Sequence, residues 1–308
     1  MPKEYYLYVN GQRVKVSEQI YKVYWREKEH EKYLEQVDKK NHLLFFSALD
    51  HDGHFTDNIV DESVDVWNKQ IQDAFDFAGL KDDKNDPTND STNVRTTVRL
   101  MQPYGAAYAA GDHVGIQRHI QEIALRTDQD SINSILWGMI HEVGHQMDIS
   151  SRELGEITNN MFSNNAYMKN NAGDRVPYNE LYNLLAPDDS SQNFDDISYS
   201  QRLGMFWQLQ LKKDTYWPEL ESLYRKRKPS VRNEQEKRDT IALYSSEILN
   251  MDLTKYFEKY GFTLSDSCKK QLKEKFPNDC EKIWYLNGNA LSYKGNGFEN
   301  KNTGLDVS

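Results

Sequence analysis

Along residues 130–148 the apolar positions Ile132, Ile135, Leu136, Met139, Ile140, Val143 and Met147 recur every three or four residues. That spacing predicts a helix with one apolar stripe, with Asp130 or Ser131 as its N-cap. Near the amino end, two runs of β-formers flank Asn10-Gly11, from Tyr5 to Val9 and from Gln12 to Val16. Asn-Gly accepts positive φ at both turn positions, so a two-residue hairpin is expected. Residues 18–40 then read as a charged helix with Tyr21, Tyr24, Trp25, Tyr33 and Leu34 as its apolar positions. A break is expected at 61–65, followed by a helix from Trp67 through Ile71, Phe75 and Phe77. Residues 81–92 form a polar loop pattern, and 94–100 alternate as a strand does. The run 105–111 is all small residues around one tyrosine, Tyr108, which suits close backbone approach. Ser150 followed by Glu153 has the spacing of a capping box and predicts a second helix starting there. From about Ser265 the chain runs into Asn- and Gly-rich sequence and reads as a loose or incomplete end. No internal repeat is visible. The pattern predicts an α+β chain, mostly α-helical.

Composition narrows this without naming a function. The chain has 308 residues, enough for a sizeable core, and its 19 Tyr, 12 Phe and 6 Trp exclude a disordered chain. The formal net charge of -10 leaves no overall basic footprint for nucleic acid. No run approaches the roughly 18 apolar residues of a membrane span. The first residues lack the apolar core of a secretory signal. Two cysteines, Cys268 and Cys280, are too few for a disulfide framework or a four-cysteine zinc site. They would pair in an oxidising compartment and stay reduced in the cytosol.

The chemistry lies in His141-Glu-Val-Gly-His145. On a helix, His141 and His145 are one turn apart on the same side, so both imidazoles can bind one Zn²⁺. Glu142 is rotated by about 100° from His141. It can sit beside the metal, take a proton from the attacking water and pass it to the leaving amine. The plain alternative is a helix carrying two unrelated histidines. Against it, both lie in an apolar helix, where polar groups without a purpose are unfavourable. Gly144, inside the motif, lowers helix propensity by ~1 kcal/mol relative to Ala, so helix stability did not select it.

A catalytic zinc needs a third protein ligand and an open position. Glu153 has a structural use in the capping box. Glu156 lies further on and is followed by Asn159 and Asn160, placed to orient a ligating carboxylate. Glu156 is therefore the expected third ligand and Glu153 the fallback, with a solvated helix charge as the plain alternative.

The segment His141-Glu-Val-Gly-His145-Gln-Met-Asp148, then Gly155-Glu156-Ile-Thr-Asn159-Asn160, resembles the enhancin-like zinc peptidases. So do Tyr104 to Gln117 upstream, and 209–227 and 244–262 downstream. The resemblance covers about residues 67–265. It implies a gluzincin-type lobe binding one Zn²⁺ through His141, His145 and Glu156, with Glu142 as the catalytic glutamate. It further implies endopeptidase activity on mucin-like O-glycosylated proteins and an extracellular or cell-surface location. No nucleic-acid partner is expected. Residues 1–66 instead resemble the amino end of small sigma-seventy-like proteins from mobile elements of Gram-positive bacteria, which suggests a fusion. Residues 266–308 then read as a C-terminal tail or the start of a shortened β-domain. The competing functions are a transcription-associated regulatory protein and an inactive peptidase fragment.

Weaker features have plain readings. His51 and His54 suit a polar turn; of His113 and His119, which precede the zinc helix, His113 suits a hydrogen-bonded structural role, with the substrate cleft as its alternative. Tyr216, Trp217, Tyr224 and Tyr244 are expected to pack in the core. The basic runs Lys212-Lys213 and 225–228 read as solvated helix faces.

Overall fold

Residues 5–9, 12–18, 21–22, 57–80, 97–100, 106–110, 113–187, 192–280, 282–288, 291–293 and 298–300 are described by a computed structural model of the chain. The chain divides into two units, 1–58 and 59–308. In the first, β1 (Tyr5–Val9) pairs antiparallel with β2 (Gln12–Val16), and Val9 faces Gln12. That register leaves two residues for the link, as the Asn-Gly pattern requires. Glu18, Tyr21 and Lys22 are helical. The rest of the expected 18–40 helix, and His51 and His54, lie outside the described residues.

Helix α1 (Asp57–Phe77) runs through 61–65, where a break was expected. Ser63, Trp67, Gln70, Ala74 and Phe77 are all buried. They are spaced four, three, four and three, so small or polar Ser63 and Gln70 occupy stripe positions that an apolar count overlooks.

A three-stranded sheet follows, built from β3 (Thr97–Leu100), β4 (Ala107–Ala110) and β5 (His113–Ile116) in the order β3-β5-β4. β3 runs parallel to β5, and β4 antiparallel. The small-residue run thus becomes β4, at one edge of the described sheet. Val114 and Ile116 point into the core. Helix α2 (Arg118–Ala124) leads to α3 (Gln129–Met147), which packs against β4 and β5.

Helix α3 begins slightly earlier than expected. Its N-cap is Asp128, whose carboxylate accepts the Ser131 N–H at 2.9 Å. The stripe is as the spacing predicts, with Ile132, Leu136, Met139, Ile140, Val143 and Met147 buried. The helix expected from Ser150 does not form. Arg152 and Glu153 donate to the Ile149 carbonyl in a single turn. Gly155 then takes φ +55°, left-handed backbone that ends any helical run. The next helix, α4 (Asn160–Lys169), starts ten residues later.

Helices α5 (Tyr178–Leu185), α6 (Tyr199–Lys212), α7 (Tyr216–Arg227), α8 (Glu234–Leu249) and α9 (Thr254–Lys259) complete the lobe. Trp217 lies near their centre, ringed by Phe77, Phe162 and Phe206 at 5.7–6.3 Å between centroids. Tyr216 and Tyr224 are buried beside it, as expected, and Tyr244 is half-buried.

Beyond Ser265 the chain departs from a loose end. Ser265 caps α10 (Asp266–Lys275), which buries Cys268 and Leu272. Ile283 and Trp284 sit in the same core, in a short 3₁₀ turn where a β-domain was expected to open. Gln208 Nε2 holds that turn by donating to the carbonyls of Trp284 and Leu286. The Asn- and Gly-rich composition masked four apolar anchors (Leu272, Phe276, Ile283 and Trp284). A further antiparallel pair, β6 (Leu291–Tyr293) and β7 (Phe298–Asn300), lies beyond.

Candidate metal centre

The apolar stripe of α3 faces the core, which fixes the rotation of the helix and so where its histidines point. His141 and His145 sit with ring centroids 4.8 Å apart and planes at 89°. One ligand atom from each of His141, Glu142 and His145 lies within 4.8 Å of the other two. Glu142 is 9% exposed. Burial raises its carboxyl pKa above the ordinary value. The two imidazoles and the Ala109 N–H of β4 oppose that rise, and the Glu156 carboxylate adds to it.

The loop between α3 and α4 brings the remaining groups. Glu156 Oε2 stands 2.9 Å from His141 Nε2 and 3.5 Å from His145 Nε2. Its side chain is half exposed, open to the cavity. None of the described contacts joins the Glu153 carboxylate to either histidine. Its carbonyl instead accepts from Lys237 Nζ at 3.0 Å.

Asn160 and Asn159 stand at the histidine rings, not at the Glu156 carboxylate they were expected to orient. Asn160 Oδ1 is 2.8 Å from His141 Nδ1. An amide oxygen can only accept, so the tautomer with its proton on Nδ1 satisfies this contact and is the one that offers Nε2 as a metal ligand. Asn160 Nδ2 also donates to the Glu156 carbonyl at 2.6 Å. The same residue therefore fixes one imidazole and the main chain of the loop. Asn159, fully buried, places Nδ2 at 2.9 Å from His145 Nε2 and 3.2 Å from His141 Nε2.

A cavity of about 560 Å³ opens over these groups. Ala107, Tyr108 and Ala109 of β4 form one wall, and His141, Glu142, His145 and Glu156 the other. The sequence flagged the small-residue run but not its use as this wall. It also gave no sign that Asp148 and Arg152 would matter, although their four-residue separation is that of an ion pair. His119 is exposed, and the His113 side chain lies outside the described residues.

Two imidazole nitrogens and a carboxylate oxygen converge here, with the Asn160 amide oxygen beside one ring. That nitrogen and oxygen donor set fits a divalent ion such as Zn²⁺. Paired histidines one helical turn apart, a buried glutamate between them and a strand opposite have the arrangement of the HExxH motif. The chain belongs to the enhancin-like peptidases. The family model described as "Peptidase M60, enhancin and enhancin-like" matches residues 36–261. The match begins upstream of the boundary expected at 66.

Solved structures agree on the fold. The ZmpB metallopeptidase from Clostridium perfringens is 25% identical, with a TM-score of 0.63 over 78% of this chain and 48% of that one. The catalytic module of the metalloprotease ZmpA from the same organism is 23% identical, with a TM-score of 0.63 over 79% and 52%. The catalytic domain of ZmpC, solved in complex with the sialyl T antigen, is 23% identical, with a TM-score of 0.59 over 73% and 45%. The chain thus spans about half the length, or less, of the structures it resembles. A sequence comparison with curated proteins finds no match. Among the described residues, no helix is long and apolar enough to cross a membrane.

Proposed function

We propose that this chain is a zinc-dependent endopeptidase that cleaves mucin-like, O-glycosylated proteins outside the cell. His141, His145 and Glu156 would hold the ion. The observation that carries the reading is the convergence of Glu156 Oε2 on both Nε2 atoms, with buried Glu142 beside them. Zn²⁺, when bound, polarises a peptide carbonyl and lowers the pKa of water. The chain's own residues do the rest. Glu142 takes the proton of the attacking water and delivers it to the leaving amine. The Asn160 carbonyl oxygen can accept from His141 Nδ1–H, the tautomer that offers Nε2 to the ion. An extended peptide can lie along β4, where main-chain pairing gives affinity independent of sequence. The glycoprotein substrate class and the location rest on the family and on the sialyl T antigen bound by the ZmpC domain.

The test is zinc content by elemental analysis together with cleavage of an O-glycosylated mucin, for wild type and Glu142→Ala. One zinc per chain in both proteins, with cleavage reduced by ~10²–10⁴ in the variant, is the expected result. A wild type without zinc overturns the reading. Zinc bound without cleavage of any glycoprotein or peptide would mark an inactive peptidase fragment.

A further inference from the structure

The loop that carries Glu156 is tied down by a buried charge network that takes no direct part in the proposed chemistry. Asp148, the residue after α3, accepts on Oδ1 from Thr158 Oγ1 at 2.9 Å and from Arg152 Nη2 at 3.0 Å. Thr158 Oγ1 in turn accepts the Leu154 N–H at 3.2 Å. The two ends of the loop, 148 and 158, are therefore clamped by side chains, with Glu156 two residues from the clamp. Arg152 Nη2 also lies 2.9 Å from Glu221 Oε1 on α7, and its guanidinium stacks over Trp217 at 4.7 Å. Arg152 and Glu221 are 0% and 1% exposed. Arg225 stands 3.7 Å from the other Glu221 oxygen.

Stability alone does not account for this arrangement. Moving each of these ions out of water is unfavourable by several kcal/mol, and apolar replacements of buried ion pairs are often neutral or stabilising. A buried network of this kind instead specifies one conformation. A single guanidinium nitrogen, Nη2, stands between the two carboxylates while the plane of the group lies over Trp217, a stacked contact that a lysine cannot make. The conformation specified here is that of the segment from Asp148 to Thr158. Asn159, the next residue, stands at the histidine rings, and His145 lies three residues before the segment.

We propose that Arg152, held between Asp148 and Glu221, is a positioning residue for Glu156, acting through the Asp148–Thr158 clamp. The assignment rests on the zinc reading above. It predicts that breaking the clamp weakens metal binding without unfolding the chain.

The test measures the zinc dissociation constant by chelator competition and the unfolding temperature of the metal-free protein. Arg152→Lys keeps the charge and loses the planar group stacked over Trp217. Thr158→Val removes only the hydroxyl and covers the case in which the arginine variant does not fold. Both should bind zinc 10–100-fold more weakly, the range seen when groups behind metal ligands are removed. Thr158→Ser, which restores the hydroxyl, should recover wild-type affinity. Metal-free Thr158→Val should still fold and unfold cooperatively, with a midpoint lowered by the loss of two buried hydrogen bonds. Wild-type zinc affinity in folded Thr158→Val would overturn the assignment and leave the proposed function standing. Absence of zinc from the wild type would overturn the proposed function first and this assignment with it.

Discussion

Gly144 on α3 and Asn159 in the loop approach so closely that a Cβ on Gly144 would stand 2.6 Å from the Asn159 main-chain oxygen. Backbone atoms cannot yield as a side chain can. The glycine inside the histidine motif is therefore what lets the loop that carries Glu156 and the two asparagines lie against the helix.

Gly144→Ala should consequently destabilise the chain although alanine is the better helix former. The propensity gain is ~1 kcal/mol, and forcing atoms into a packed contact costs about 1–3 kcal/mol. Thermal unfolding of the metal-free protein should show a lower midpoint than wild type. Chelator competition should show weaker zinc binding, because the loop is pushed off the helix. An unchanged midpoint and affinity would mean that the loop shifts freely.

Asn160→Ala should weaken zinc binding by roughly 10–100-fold, because His141 loses the acceptor that fixes its tautomer. The Glu156 carbonyl loses its side-chain donor in the same step. Asn160→Asp keeps an acceptor toward His141 and loses that donor, so its affinity should fall between wild type and Asn160→Ala. Titration with a zinc indicator dye reads all three. An aspartate variant as weak as the alanine variant would assign the effect to the Glu156 carbonyl.

Alkaline unfolding should be steep. Burial raises the pKa of Tyr178, Tyr216, Tyr224, Tyr256 and Tyr260 above the ordinary 10. Below pH 10 both the folded and the unfolded chain keep these phenols neutral, and their contribution is fully present. Above it the unfolded chain releases protons that the folded chain retains, so stability falls as pH rises. Each tyrosine loses ~1.4 kcal/mol per pH unit, so five lose on the order of 7 kcal/mol by pH 11. That is comparable to the whole stability of an ordinary domain. Exposed tyrosines such as Tyr199 and Tyr182 should ionise first, in the folded chain, and the remaining tyrosinate absorbance should appear together with the loss of helical circular dichroism. Ionisation of all the tyrosines in a chain that is still folded would refute the burial argument.

Both cysteines should resist alkylation in the native state. Burial pushes the Cys268 thiol up to about 12 and the Cys280 thiol up to about 11, and neither is in a disulfide. The thiolate is the reactive form, so iodoacetamide at pH 8 should label the folded chain far more slowly than the unfolded chain. Half-buried Cys280 should label before buried Cys268. Mass spectrometry after timed quenching gives the order, and early labelling of Cys268 would contradict its packing.

Much of the fold was legible because it is written in local periodicity. The stripe of α3 and the hairpin about Asn10-Gly11 each follow from spacings a single turn can read, whereas the helices at 209–227 were expected from the family resemblance. Element boundaries were harder. Ser63 and Gln70 hide the early turns of α1, since buried polar groups count as surface in any apolar pattern. Ser150 and Glu153 have capping-box spacing, yet the positive φ of Gly155 and the bonds Arg152 makes through the core override it. Such a local signal is worth about 1 kcal/mol, less than what a buried network can impose.

The site divides along the same line. The sequence by itself determined that His141 and His145 share a helix face with Glu142 beside them, because four-residue spacing sets those directions wherever the helix lies. It also marked Glu156, Asn159 and Asn160 as the nearby polar groups. Only the tertiary structure decided that the Glu156 carboxylate meets both histidine nitrogens. It alone turned Asn160 toward His141, laid β4 across the cavity and buried Arg152 between Asp148 and Glu221. These are contacts between segments whose approach depends on the shape of the whole core, and no periodicity along the chain encodes that shape.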